Sequence, residues 1–367
     1  VKFGISLPAY DQALAALAIL ALIFFLGTSA VRAAPAPPPV PREVLTFYYG
    51  WWGTPKTSGS WTHWSGVQPA AKIIANSAHY PRGGAYDSHD PATIDRHLDQ
   101  MKAAGVTGLI SSWWGRGTFD DKSLDLVMAQ APTRNLKVSA YYEQVPNLGP
   151  NARPGAVAEA VVADLNYLLD RHAAKPGWLT VHGRPVIFLF RRSVMQLGVD
   201  GWWAVARQMA RRTPAPILIG DVDLDAPVTT IPVTFSGIHV YNNSDLTVGK
   251  SAEMLRSWAA KAYPRWTSKW RSMLTCLTIM PGFGNARATG LPISQQITDR
   301  NGGETYAVLA DEAIRAKPDW LLITSWNEWH EGSEIEPSVE DGDRALRQTR
   351  VIADRFLKLP PRSLKLR

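Results

Sequence analysis

The chain has 367 residues, with 39 Lys plus Arg against 32 Asp plus Glu and a formal net charge of +7. That length suits one large domain or two ordinary ones, and the positive excess is scattered, with no basic run long enough to follow a nucleic acid. A single cysteine, Cys276, excludes an intramolecular disulfide, and Cys/His metal-ligand spacing is absent, so neither cofactor nor metal is expected.

The first residues differ in kind from the rest. Ala13 to Leu26 is an apolar run too short for a comfortable membrane span, which needs about 20 residues. Small residues at Val31-Arg32-Ala33-Ala34 resemble a cleavage site, and a stiff Pro-rich stretch follows. Residues 1–34 are read as a signal peptide or membrane anchor, 35–43 as a linker and 44–367 as the catalytic domain. An uncleaved anchor extending through Val31 is the competing reading. Either places the remainder outside the cytoplasm: periplasmic, secreted or membrane-anchored.

From Val44 onward, apolar runs of strand length alternate with stretches of helical period. Strands are predicted at Val44–Tyr49, Val106–Ser112, Lys137–Tyr142, Pro185–Phe190, Ile217–Gly220, Gly237–Tyr241, Leu274–Ile279 and Trp320–Ser325. These runs are continuous rather than alternating, as strands covered on both faces should be. The first helix is well marked: Asp90 suits the N-cap, Pro91 the first turn, Ile94, Leu98 and Met101 an apolar stripe, and Gly105 the stop. Others are predicted near Asp121–Ala131, Gly155–Ala173, Gly201–Arg211, Ser251–Ala262, Glu304–Ala316 and Asp343–Leu357. Asp221–Phe235 is weak as a helix, with two Pro and three Asp.

Strands alternating with helices predict an α/β chain, a (β/α)8 TIM barrel. A doubly wound open sheet is the alternative, but no G-x-G-x-x-G turn follows the first strand. The long loop Gly50–Asp90, rich in Gly, Ser, Trp and His, is expected to form part of the site.

In such a barrel, chemistry sits where the strands end. Those ends carry Tyr48-Tyr49-Gly50-Trp51-Trp52, Ser112-Trp113-Trp114, Tyr141-Tyr142-Glu143, Arg191, Asp221 and His239 with Tyr241. Trp113 and Trp114 point to opposite sides, so at most one faces the site. The last strand opens into Asn327, Glu328, Trp329, His330 and Glu331. Glu328 and Glu331 are three residues apart, so a helical turn there puts both carboxylates on one side. Paired carboxylates are the usual equipment of a glycosidase. The fifteen Trp serve partly as core and partly as flat faces for sugar rings.

The block Trp326-Asn327-Glu328-Trp329-His330-Glu331-Gly332-Ser333-Glu334-Ile335-Glu336 closely resembles the signature of glycoside hydrolase family 99, the endo-α-1,2-mannosidases and mannanases. Tyr48 to Gly53 with His63-Trp64, Tyr86 to Trp114, Leu136 to Glu143, Gly237-Ile238 with Tyr241, Pro281-Gly282-Phe283 and Arg300 to Tyr306 agree in the same order. The resemblance implies a (β/α)8 barrel and metal-independent, retaining cleavage inside a chain at α-1,2-linked mannose. It also implies that Glu328 is the base on the sugar 2-OH, giving a 1,2-anhydro sugar, and that Glu331 is the acid and then the base that activates water. Glu328 should therefore be ionised and Glu331 protonated. By the same resemblance, Glu143, Arg300, Tyr241 and Asn327 bind hydroxyls or orient the acids, while Tyr49, His63 and Trp114 shape the subsites.

The chain departs from the family at Tyr142 and Gln144, where His and Pro are usual, and at Ser333-Glu334, where Thr-Gln is more common. The reading sets these changes around the substrate, so the reaction is better marked than the sugar. The expected partner is an α-mannan-like oligo- or polysaccharide, and a monomer is expected. Two other readings remain: a retaining glycosidase that forms a covalent glycosyl-enzyme on a bacterial polysaccharide, and a carbohydrate-binding barrel without turnover.

Overall fold

The computed structural model describes residues 37–149, 151–224, 234–290 and 297–366. The signal or anchor segment lies outside them, as does 225–233 of the weakly helical stretch. Among the described residues, no helix is long and apolar enough to cross a membrane.

Eight parallel strands close into a barrel. They are β1 (Glu43–Tyr48), β2 (Gly108–Trp113), β3 (Lys137–Tyr142), β4 (Arg184–Leu189), β5 (Ile217–Asp221), β6 (Gly237–His239), β7 (Leu274–Ile279) and β8 (Trp320–Ile323). β8 pairs with β1 and β7, and the β3–β4 ladder, Ala140 opposite Ile187, completes the ring. The helices outside it are α1 (Pro91–Ala103), α2 (Phe119–Gln130), α3 (Ala156–His172), α4 (Arg191–Met209), α5 (Ala252–Lys269), α6 (Glu304–Ala316) and α7 (Arg344–Phe356).

α1 forms as its sequence dictates. Asp90 accepts the Ala92 N–H at 3.2 Å, Pro91 opens the first turn, and Ile94, Leu98 and Met101 are buried. α5 runs past the predicted end at Ala262, through Pro264. Burial of Tyr263 and Trp266 against the barrel outweighs the one backbone bond that proline removes. β6 stops two residues short of Tyr241, whose N–H donates to Asp221 Oδ1 (3.2 Å) instead of continuing the ladder.

Inside the barrel, alternate residues face inward. Leu45, Phe47, Val186, Phe188, Ile217, Ile219, Leu274, Cys276, Trp320 and Leu322 pack into one buried cluster. Cys276 is a free, fully buried thiol. His239 lies in the same interior, its Nε2 3.3 Å from the Leu189 carbonyl, so it is a core residue. Ahead of β1, Pro39 and Val40 pair antiparallel with Ser363 and Arg362, and Val40 is buried beside Leu364. This apolar filling leaves the strands' C-terminal ends as the place where the interior turns polar.

The ring tolerates little added volume. A Cβ on Gly108 of β2 would sit 2.6 Å from the Lys137 carbonyl oxygen on β3. Gly108→Ala should cost about 1–3 kcal/mol by forcing those strands apart, read as a lower midpoint in urea unfolding.

Candidate active site

Continuing the inward alternation past the ladders brings Tyr49, Ser112, Glu143 and Tyr241 to the barrel mouth. Glu143 is 3 % exposed and accepts the Ser112 hydroxyl at 2.7 Å. The Trp114 indole N–H donates to the same hydroxyl oxygen (3.0 Å), so Ser112 ties the ring to the carboxyl. Trp113 turns outward, with its N–H on Asp121 at 2.7 Å. Burial lifts the Glu143 carboxyl to about 8, with Ser112 and Arg192 opposing.

The last strand supplies the loop that follows Thr324. Its two ends are sewn together: Ser325 N–H donates to the Ser333 carbonyl (2.8 Å) and Ile335 N–H to the Ser325 carbonyl (2.9 Å). Glu331 N–H reaches the Glu328 carbonyl at 3.3 Å, a turn rather than the helix the spacing allows. Gly332 has φ +59, and a Cβ there would meet Ala78 at 2.8 Å, so the turn requires glycine.

Glu328 is 3 % exposed, and its Oε1 accepts the His330 backbone N–H at 3.1 Å. Tyr49 O–H donates to Tyr241 O–H (2.7 Å), which donates to Glu331 Oε2 (2.9 Å). Burial raises both carboxyls; Glu331 reaches about 7, with the Tyr241 hydroxyl opposing. Glu328 is pushed well above the carboxylate range by burial first and by Glu331 next. Repulsion between the two opposes charging both at once. Tyr241 stabilises charge on Glu331, while Glu328 has a weaker set of donors.

Trp51 builds one wall. Its ring stacks on His63 (4.4 Å between centroids, 6° between planes) and lies 4.6 Å from Tyr49 and 6.2 Å from Trp114. The long first loop thus enters the site, as expected. His63 is exposed, and burial on the Trp51 side lowers its ring to about 4.

Two predicted residues stand behind the site rather than in it. Asn327 is 0 % exposed; its Oδ1 accepts Tyr49 N–H (2.8 Å), and its Nδ2 donates to the Tyr49 carbonyl (2.9 Å) and to Tyr86 O–H (3.0 Å). It locks β1 to the acid loop and has no face for a sugar. Arg300 spends its guanidinium on the Gly332 carbonyl (3.1 Å), Glu334 Oε1 (2.6 Å) and Asp341 (3.2 Å). A sequence does not show which side of a loop is buttressed, so it left open whether these two bind hydroxyls or orient the acids.

The buttress itself was not foreseen. Tyr86 O–H accepts from Asn327 and from the Trp329 indole (3.0 Å) and donates to Glu336 (2.8 Å). Glu336 also meets His97 at 2.9 Å. The available signal was His97 lying on the buried stripe of α1, between Ile94 and Leu98. Glu334, 0 % exposed, is held by Arg300 and by His79 at 2.8 Å, which keep its carboxyl below the usual range.

A parallel eight-stranded barrel whose mouth gathers buried acids, tyrosines and a tryptophan wall is the frame of a glycosidase. The profile of glycosyl hydrolase family 99 matches residues 39–350, and the chain belongs to that family. It is 25 % identical over 343 residues to the glycoprotein endo-alpha-1,2-mannosidase of Rattus norvegicus, covering 82 % of this chain and 69 % of that one. A glycoprotein endo-alpha-1,2-mannosidase-like protein of Danio rerio is 27 % identical over 331 residues, covering 81 % and 71 %. The fold matches the endo-alpha-mannosidase of the same family from Bacteroides thetaiotaomicron, with a TM-score of 0.70 at 24 % identity over 86 % of this chain and 98 % of that one. The protein is an endo-alpha-mannosidase-like glycosidase, and its substrate is an oligosaccharide.

Glu143 supplies a thermodynamic test. The folded state holds its proton up to about 8, whereas the unfolded chain releases it near 4.5, so its contribution to stability falls as pH rises through that window. Glu143→Gln should raise the thermal midpoint over wild type at pH 8 and leave it nearly level at pH 4.

Proposed function

We propose that the enzyme cleaves inside a glycan chain at α-1,2-linked mannose, with retention, through a 1,2-anhydro sugar. The observation that carries the reading is the contrast of Glu328 and Glu331 with Glu334. Glu328 is buried and Glu331 half-buried, near enough to repel, and neither is matched by a cation as Glu334 is. Arg300 holds Glu334 at 2.6 Å.

In an α-mannoside the axial 2-OH lies anti to the axial leaving group. An internal oxygen can therefore attack the anomeric carbon from behind, with the entropic gain of an intramolecular nucleophile. Glu328 takes the 2-OH proton; its raised proton affinity makes it a strong base once ionised. Glu331, near 7, gives its proton to the leaving oxygen, then takes one from the water that opens the epoxide. Repulsion between the two carboxyls favours one proton on the pair, which the bound sugar places on Glu331. Tyr241 and Tyr49 hold Glu331 in line. Glu143, neutral below about 8, donates to a hydroxyl while accepting from Ser112. Trp51, His63 and Trp114 offer faces for neighbouring rings. Arg300 and Asn327 act from behind, by fixing the loop.

We read the catalytic domain as 44–367 with the short strand Pro39–Val40 added, and the enzyme as an exported monomer. The apolar run before Val31 supports export and leaves membrane attachment as an outcome of fractionation.

Incubation with yeast α-mannan should release oligosaccharides that are α-anomers at first formation by NMR. Glu328→Gln and Glu331→Gln should each lower kcat by about 10²–10⁴-fold. A 2-fluoro glycosyl fluoride that labels Glu328 would overturn the epoxide route. Tyr241→Phe removes the hydroxyl that favours charged Glu331, so the alkaline limb of the pH profile should move up from about 7.

A further inference from the structure

Arg192 stands at the barrel mouth with no part in the chemistry above. It lies in the first turn of α4, just past β4, and is exposed. Its guanidinium carbon is 5.0 Å from the centroid of the Trp114 ring and 5.8 Å from that of Phe190. Two other arginines of these loops are committed to carboxylates: Arg191 meets Asp223 at 2.6 Å, and Arg116, two residues past Trp114, meets Asp164 at 2.9 Å. Among the described residues, no carboxylate or carbonyl takes a hydrogen bond from Arg192. A guanidinium laid on an aromatic face keeps its N–H fork at the rim, where it can meet two oxygens of one anion. Trp114 gives it a fixed platform, with the indole N–H on Ser112 (3.0 Å) and the backbone N–H on Asp120 (2.6 Å).

The charge of Arg192 acts on Glu143, whereas the side chains that act on Glu328 are the carboxyls of Glu331, Glu143 and Glu334. The cation therefore stands beyond Glu143 from the reacting pair. It pulls the Glu143 carboxyl toward ionisation while burial holds the proton on. A neutral sugar leaves that conflict standing, and an anion set on the guanidinium removes it. We propose that the subsite bounded by Trp114, Glu143 and Arg192 takes a neighbouring sugar that bears an anionic group, a carboxylate or a phosphate ester, held by the Arg192 fork. This rests on the reading of the cleft as one that cuts α-linked mannose, and it makes the substrate class an acidic mannan. The net charge of +7 favours the approach of such a chain.

The test uses α-1,2-linked mannotetraose and two sets of derivatives, with a carboxylate or a phosphate monoester at C6 of each sugar in turn. Wild type should cleave at least one derivative with a kcat/KM about tenfold above that of the neutral tetrasaccharide at low salt. The ratio should fall toward one in about 0.5 M salt and in Arg192→Gln. Arg192→Lys, a point charge without the fork, should keep only part of it. The set that shows the preference separates a uronate from a phosphate ester. Equal cleavage of all the tetrasaccharides, or a preference that survives in Arg192→Gln, overturns the proposal.

A second measurement needs no turnover. In calorimetric titrations of Glu331→Gln, at least one derivative should bind about tenfold tighter than the neutral tetrasaccharide, and adding Arg192→Gln should make the two bind alike. Matching affinities in Glu331→Gln, or no binding of any derivative, overturn the proposal. Arg192-dependent binding by a wild type that releases no product would remove the reading of α-1,2-mannose cleavage and leave the anion site standing. Cleavage of the neutral tetrasaccharide with no preference for a charged one removes the anion site alone.

Discussion

A carboxyl withdrawn from water costs several kcal/mol unless donors replace the lost hydration. The acid loop and the strand ends beside it bury four such groups and half-bury a fifth, Glu331, and donor supply divides them into two kinds. Glu334 has Arg300 and His79, and Glu336 has His97 and Tyr86. These two serve as pegs. Glu143, Glu328 and Glu331 receive a serine hydroxyl, a backbone N–H and a tyrosine hydroxyl in place of a close cation, and each is pushed up. The same side chain is structural or reactive according to the charge of its neighbours.

The pegs explain how a loop can hold reactive acids in place. A segment that leaves a barrel strand is ordinarily free to move. Here it returns on itself through Ser325, Ser333 and Ile335, and Asn327 ties it to the first strand through both amide atoms. Tyr86, from the long first loop, closes the arrangement with one hydroxyl that accepts twice and donates once. The first loop is therefore as much a part of the candidate site as the last. It lays Trp51 and His63 along the cleft and brings Asn76 against His330.

The barrel was legible because its strands are continuous apolar runs ended by polar clusters, a pattern that backbone burial alone enforces. Glu328 and Glu331 stood out because two acids after such a run are costly to withdraw from water without partners. Asn327 and Arg300, expected to bind hydroxyls or orient the acids, spend their donors on the loop, and an amide and a guanidinium read alike whether they face a cleft or a loop's back. Tyr142 shows the same blindness. As a departure beside Glu143 it reads as a change near the substrate, yet its hydroxyl donates to Asp164 at 3.1 Å and its ring packs outward on Trp113. Glu334, also read as surrounding the substrate, is buried with Arg300, so that departure alters the footing of the acid loop.

The upward shift of three carboxyls bears on whether this barrel merely holds a glycan. Binding alone could be met by amides at 143, 328 and 331, which would keep the hydrogen-bonding reach and escape the desolvation and mutual repulsion that raise all three carboxyls. Retaining acids there makes sense when proton transfer is the task, because a group moved toward neutrality both gives and takes protons with little driving force lost. Glu331 near 7 meets that condition. Glu328, raised by burial and by its neighbour Glu331, becomes a strong base once a sugar hydroxyl favours its charged form.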